Sequence, residues 1–230
     1  MLQQNTALQA QTTQTRRLLA CGIIAGPVFL TVSMVQAITR RGFDVSRHPV
    51  SLLSLGDLGW LQIANFVVTG VLCVAFAAGI RQRLRSEPSG TWGPRLFALQ
   101  GLGMILAGVF LTDAGAGFPP GAPAGAPEIS WHGILHEVGA MLSFLGMLGG
   151  FLVFARGFAV RKQRGWALAC VATVVAVILV VGWPDLDTLS IRLVIASAIE
   201  FAFLAALAAR LMRSLPKRTP ASIVIQAVVW

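Results

Sequence analysis

The sequence predicts an all-α protein, a bundle of six transmembrane helices with both termini in the cytoplasm. Three observations carry this. Six apolar segments of about 20 residues follow one another, each long enough to cross the hydrocarbon core of a bilayer. The chain is 56% hydrophobic and only 12% charged, with mean hydropathy +0.75, whereas a soluble domain carries about a quarter charged residues. Finally, the basic residues are sorted. Arg16, Arg17, Arg81, Arg83, Arg85, Arg95, Arg156, Arg161, Lys162, Arg164, Arg210, Arg213, Lys217 and Arg218 fall in the tails and in the second and fourth connections, fourteen of the 18. Only Arg40, Arg41, Arg47 and Arg192 fall on the other face. Cytoplasmic loops collect lysine and arginine, so the termini belong inside.

Each segment has its own grounds. Residues 1–15 (MLQQNTALQAQTTQT) are polar, uncharged and without periodicity, and are expected to be a disordered cytoplasmic tail. The transmembrane domain covers residues 16–213. Its first span, 18–39, follows Arg16 and Arg17. Gly22 and Gly26 form a step that permits close helix approach, and Pro27 should kink the helix. A polar connection with Arg40, Arg41, Asp44, Arg47, His48 and Asp57 leads to the second span, 58–80. The third span, 94–112, opens with Pro94, suited to a first turn, and has small residues at Gly101, Gly103, Ala107 and Gly108. A loop with Pro119, Pro120, Pro123 and Pro127 cannot be helical throughout, so a rigid, partly extended cap is expected. The fourth span, 131–154, carries Gly146 and Gly150. The fifth, 166–183, is uniformly apolar and stops at Pro184. The sixth, 190–211, holds a single acid, Glu200. The tail 214–230 ends in ASIVIQAVVW, too short to cross and expected on the membrane surface or on a neighbour. The protein is therefore placed in the cell's inner (plasma) membrane, multi-pass.

Other classes fall away. A net charge of +9 in a soluble chain would suggest nucleic acid. Here the basic clusters separate apolar spans and no basic face is interleaved with aromatics, so no nucleic-acid partner is expected. Cys21, Cys73 and Cys170 each lie in an apolar run without metal-ligand spacing and read as small buried hydrophobes. Trp60, Trp131 and Trp183 mark one membrane boundary, Trp92 and Trp166 the other.

The acids sort opposite to the bases. Only Glu87 is cytoplasmic; Asp44, Asp57, Asp113, Glu128, Glu137, Asp185, Asp187 and all three histidines lie at or near the outer face. The centre of that cluster is the stretch Leu111 to Ala140. His132 and His136, four residues apart, share a helix face. Asp113 ends the preceding span and should lie close, because neighbours joined by one loop pack together. Two histidines and a carboxylate can supply three zinc ligands and leave a position for water, with His48 as a fourth. The alternative is that the histidines bond the Gly/Pro loop and Asp113, closing the outer end. A second chemistry needs no metal: a carboxyl drawn into apolar surroundings can stay protonated and act as a general acid. Glu137 is the candidate near the surface. Glu200, ten residues into its span and roughly 15 Å deep, is the candidate near mid-membrane. Arg192 could partner Glu200 only by reaching inward. Arg40, Arg41 and Arg47 could hold an anionic headgroup, and Trp131 could line a pocket.

The segments TDAGAGFPPGAP (Thr112 to Pro123), SWHGILHEVGA (Ser130 to Ala140) and SRHPVSLLSLGDLGW (Ser46 to Trp60) resemble the polytopic bacterial membrane proteins grouped as domain of unknown function 998. The likeness runs from about Leu18 to Arg213. It implies a six-helix membrane fold, marks Asp113, His132 and His136 as motif positions, and supplies no reaction. Two looser likenesses suggest chemistry. Ceramidase-type membrane hydrolases hold zinc with intramembrane histidines and an aspartate. Small membrane terpene cyclases protonate an isoprenoid with buried acids. Both usually have seven spans. The resulting expectation is an enzyme acting on a lipid or isoprenoid-like hydrophobic substrate in an outer-facing polar pocket, by acid/base or zinc-type metal chemistry. A proton-coupled transporter, or a non-catalytic subunit within a homo-oligomer or larger complex, is the alternative.

Overall fold

The computed structural model describes residues 2–85, 87 and 89–215. It contains six long helices: α1 (Leu2–Thr39), α2 (Gly59–Arg83), α3 (Ser89–Val109), α4 (Trp131–Val160), α5 (Arg164–Val181) and α6 (Leu189–Arg213). Among the described residues there is no strand. All but α3 are long and apolar enough to cross a membrane. A short 3-10 turn, Val50–Ser54, lies in the first connection. The apolar end ASIVIQAVVW lies outside the described residues.

Each helix packs on its sequence neighbours, and α6 returns to α1, so the bundle is a closed ring. Between apolar helices, lipid competes equally well for apolar side chains. Close backbone approach and interhelical hydrogen bonds therefore decide the packing. On α3 the small residues serve two neighbours. A Cβ on Gly101 would sit 2.5 Å from the carbonyl oxygen of Gly70 on α2, and one on Gly103 would sit 2.5 Å from that of Gly139 on α4. The sequence suggested a single small-residue face; there are two. Likewise Gly22 meets Phe76 of α2, while Gly26 meets Phe201 of α6.

Away from the proline-rich loop, the ring is filled. Phe76, Phe97, Phe151 and Phe154 are fully buried and stack with ring centroids 5.4–6.0 Å apart. Between α1 and α2, further out, four buried polar side chains bond one another. Gln36 donates to Gln62 Oε1 (2.9 Å), and Asn65 donates to Ser33 Oγ (3.1 Å) and to the Phe29 carbonyl (3.1 Å). Asparagine and glutamine at spacings of three share one helix face, so this seam was visible at Ser33, Gln36, Gln62 and Asn65 but is not part of the sequence reading above.

Several local expectations are corrected. Residues 2–15, expected as a disordered tail, continue α1. Thr15 is buried and donates to Gln82 Oε1 of α2 at 2.8 Å, a tertiary contact that weak polar periodicity does not reveal. Pro94 lies inside α3 rather than in its first turn. Its missing N–H leaves the Gly90 carbonyl free, and Arg81 Nη1 donates to it at 2.8 Å. The proline-rich loop is not extended but folded on itself. Ala116 N–H bonds the Gly125 carbonyl and Gly117 N–H the Pro123 carbonyl, both at 2.9 Å. Gly117 and Gly121 have φ of +83° and +96°, a turn conformation open mainly to glycine.

Candidate functional site

The loop is tied down at both ends. At its start, Asp113 Oδ2 accepts from the Ser130 N–H (2.9 Å) and Oδ1 from the Ser130 hydroxyl (2.5 Å). Ser130 is the N-cap of α4, its oxygen accepting from Gly133 N–H at 3.1 Å. In a capping box the residue three positions on returns a carboxylate to the cap's N–H. Here that position is Gly133, and the carboxylate comes from Asp113 across the loop. A Cβ on Gly133 would overlap Asp113 Oδ2, which explains the glycine. The negative charge also suits the positive end of α4.

The Ser130 hydroxyl and N–H hold the Asp113 carboxyl below the usual range, against the opposing effect of burial, with His132 and His136 adding a smaller electrostatic contribution. Asp113 is therefore a carboxylate at neutral pH. A depressed folded value adds stability that is complete above the unfolded pKa, about 3.9, and is lost as pH falls through the folded one. Amide-exchange protection at Ser130 and Gly133 should accordingly fall as pH drops below about 4, and should stay flat in Asp113→Asn. Equal pH dependence in both would remove Asp113 from the clasp.

At its middle, the loop is held by Phe118 and His48. Phe118 is buried edge-on to Phe43 at 5.2 Å. His48 Nδ1 accepts from the Asp44 N–H (2.9 Å), so its proton is on Nε2, which donates to the Ala116 carbonyl (3.0 Å). Both ring nitrogens are then used, which removes His48 as a metal ligand. Arg40 bonds the carbonyls of Leu53 (3.1 Å) and Leu55 (2.6 Å) and lies over the Phe118 ring. It fixes the first connection and is not available as a headgroup site.

The two α4 histidines cap the end of α3. Val109 ends that helix, leaving carbonyls without intrahelical donors. His136 Nδ1 faces the carbonyls of Ala107 (2.7 Å) and Phe110 (3.0 Å), and His132 Nδ1 faces that of Leu111 (2.9 Å). His132 Nδ1 is 3.7 Å from Asp113 Oδ1. Among the described residues no three His, Cys, Asp or Glu side chains converge as metal ligands. The candidates Asp113, His132, His136 and His48 thus do not come together as one ligand set. The two α4 histidines share a face, but each turns Nδ1 to a backbone carbonyl.

Beneath the loop lies a cavity of about 1050 Å³. Its roof comes from the proline-rich loop, and its walls come chiefly from α3, α4, α6 and residues 49–52 of the first connection, with single residues from α1, α2 and α5. Asp113, His136, Glu137 and Glu200 all line it. The candidates His132, Trp131, Arg40, Arg41 and Arg47 do not. Trp131 is 68% exposed with its ring edge near Phe110, a membrane-boundary position. Arg41 and Arg47 are exposed on the first connection. Glu137, Ala140 and Met141 line the cavity yet remain exposed, so it is open along α4. Glu200 is 8% exposed with Oε1 unbonded. Arg192 does not reach it and is taken up by the α5–α6 turn. The cavity adds Gln100, Ser143, Asp187 and Ser197, which the sequence reading did not select as site residues. Of these, Asp187 is one of the acids sorted to this end in the sequence, and Gln100 is a single amide in the apolar third span.

Apolar helices ringed around a largely apolar cavity, with a few acidic and amide side chains in its wall, define a multi-pass integral membrane protein. Residues 23–210 match the family model described as Protein of unknown function (DUF998), and the chain belongs to that family. No curated protein matches it, nor does any solved structure.

Proposed function

We propose that the chain is a six-span protein of the inner (plasma) membrane with both termini cytoplasmic. In this reading it is an enzyme that acts on a lipid or isoprenoid-like substrate in the outer cavity by acid/base chemistry. The third crossing is α3, less apolar than the others because of Arg95 and Gln100. It lies between α2 and α4 along its length, with Gly93 on Phe154, Gly101 on Gly70 and Gly108 on Phe66. Six crossings return the C-terminus to the N-terminal side, and fourteen of the 18 basic residues put that side in the cytoplasm.

The observation that carries the enzyme reading is the setting of His136. Its Nδ1 proton is held by two carbonyls on the α3 side, so Nε2 keeps its lone pair, and the residue lines the cavity. A base oriented through its other nitrogen is the arrangement general-base catalysis requires. Glu137, one residue on and exposed at the cavity, is placed to exchange protons with solvent or headgroups.

His136→Gln keeps a donor for the Ala107 carbonyl and removes the basic nitrogen. In cells expressing the wild type, at least one membrane lipid or isoprenoid pool should change against a control lacking the chain. The variant should lower that conversion by about 10²–10⁴. Identical pools in wild type, variant and control would overturn the reading.

A further inference from the structure

The charge lining the cavity is of one sign. Asp113, Glu137, Asp187 and Glu200 line it, and among the described residues no lysine or arginine does. This is so in a chain with twice as many basic as acidic residues, 18 against 9. A second observation is independent of that charge. Gln100 and Glu200, 1% and 8% exposed, each bury an Oε1 atom with no hydrogen-bond partner. The amide of Gln100 is oriented by Met104, whose sulfur accepts from Nε2 at 3.2 Å, and this leaves the oxygen free. The Gln100 oxygen is an acceptor, and the Glu200 carboxyl is wholly one once it is ionised. Buried acceptors are costly to leave unpaired, so the chamber lacks a donor. The remaining wall is apolar and aromatic, with Phe29, Phe66, Phe144 and Phe201, whose ring faces attract cations.

We infer that the cavity takes an amphiphile bearing a protonated amine, with the ammonium turned toward Glu200 and Gln100 and the apolar body along the phenylalanines. This rests on the reading of the cavity as the substrate site and narrows its substrate class. The ammonium N–H groups donate to the two free Oε1 atoms. Asp113, Glu137 and Asp187 line the same chamber and favour a cation throughout it. A phosphate, diphosphate or carboxylate headgroup would meet four acids and no lysine or arginine.

The test uses the full chain in nanodiscs of zwitterionic lipid, with empty nanodiscs as the blank. Three probes share one alkyl chain: a primary amine, an alcohol and a phosphate monoester. By calorimetric titration, the amine should bind roughly ten- to hundredfold tighter than the alcohol, as charge-assisted bonds exceed neutral ones. The phosphate should bind most weakly. Glu200→Gln, which keeps shape, should lower amine affinity about tenfold and leave alcohol affinity unchanged. Equal binding of the three probes, a phosphate that matches the amine, or an amine preference intact in Glu200→Gln would overturn the inference. The comparison of probes on the wild type needs no variant to fold. Failure here is distinct from failure of the enzyme reading. Turnover of a lipid without amine preference sinks only this inference, and amine preference without His136-dependent turnover sinks only the other.

Discussion

Arg192→Ala is expected to lower the melting temperature sharply, with a loss of about 3 kcal/mol or more. The guanidinium is 8% exposed. Nη1 donates to the carbonyls of Val180 (3.2 Å), Val181 (3.0 Å) and Trp183 (2.7 Å), Nη2 to that of Asp185, and Nε to Thr188 Oγ1 (3.1 Å). Those carbonyls end α5 and form the turn into α6, where no backbone donors remain for them. A cation at a helix C-terminus also meets the negative end of the dipole. Truncation would strand several acceptors near the membrane boundary at once. Arg192→Lys should recover less than half of the loss, because one ammonium cannot reproduce the spread of the guanidinium donors. Thermal unfolding in nanodiscs, followed by tryptophan fluorescence, reads the effect. If Arg192→Ala melts with the wild type, the clamp contributes nothing.

Gly103→Ala should cost about 1–3 kcal/mol, the range for overpacking a close interface. The added Cβ would lie 2.5 Å from both the Gly139 oxygen and the Ser143 nitrogen, and 3.0 Å from Ser143 Cα. These are backbone atoms, so no side chain can turn away and α3 must part from α4. The same parting loosens the 2.7 Å bond between His136 and the Ala107 carbonyl, so His136-dependent conversion should fall with stability. Gly165→Ala is the internal control. Nothing lies within 4 Å of its added Cβ, and helix propensity favours alanine. Equal melting temperatures for Gly103→Ala and Gly165→Ala would show that the α3–α4 approach is not tight.

The sequence was informative about features fixed by the solvent and less so about features fixed by partners. Apolar segments and missing charge led to the helices, because hydrocarbon selects composition residue by residue. The acids and imidazoles were read as gathered at one end of the bundle, and Asp113, His136, Glu137 and Glu200 line one cavity there. What each group does there depends on atoms that sequence spacing cannot supply. The spacing of His132 and His136 puts both on one helix face, and only the end of α3 shows which nitrogen each uses: Nδ1, on a backbone carbonyl. Arg40 and Arg192 were read by charge as possible headgroup and acid partners, yet both are used on backbone oxygens. Gln100 was passed over because one amide in an apolar span has no pattern. Its meaning comes from the void beside it.

The roof has a mechanical consequence. It is fastened to the α1–α2 connection through Phe118 and the His48–Ala116 bond, and to α4 through the Asp113–Ser130 clasp. It therefore straps the first helical hairpin to the second. The third hairpin carries no such strap, and Arg192 locks its own bend. That hairpin is joined to the rest of the bundle through its own helix faces, chiefly α5 on α4 and α6 on α1.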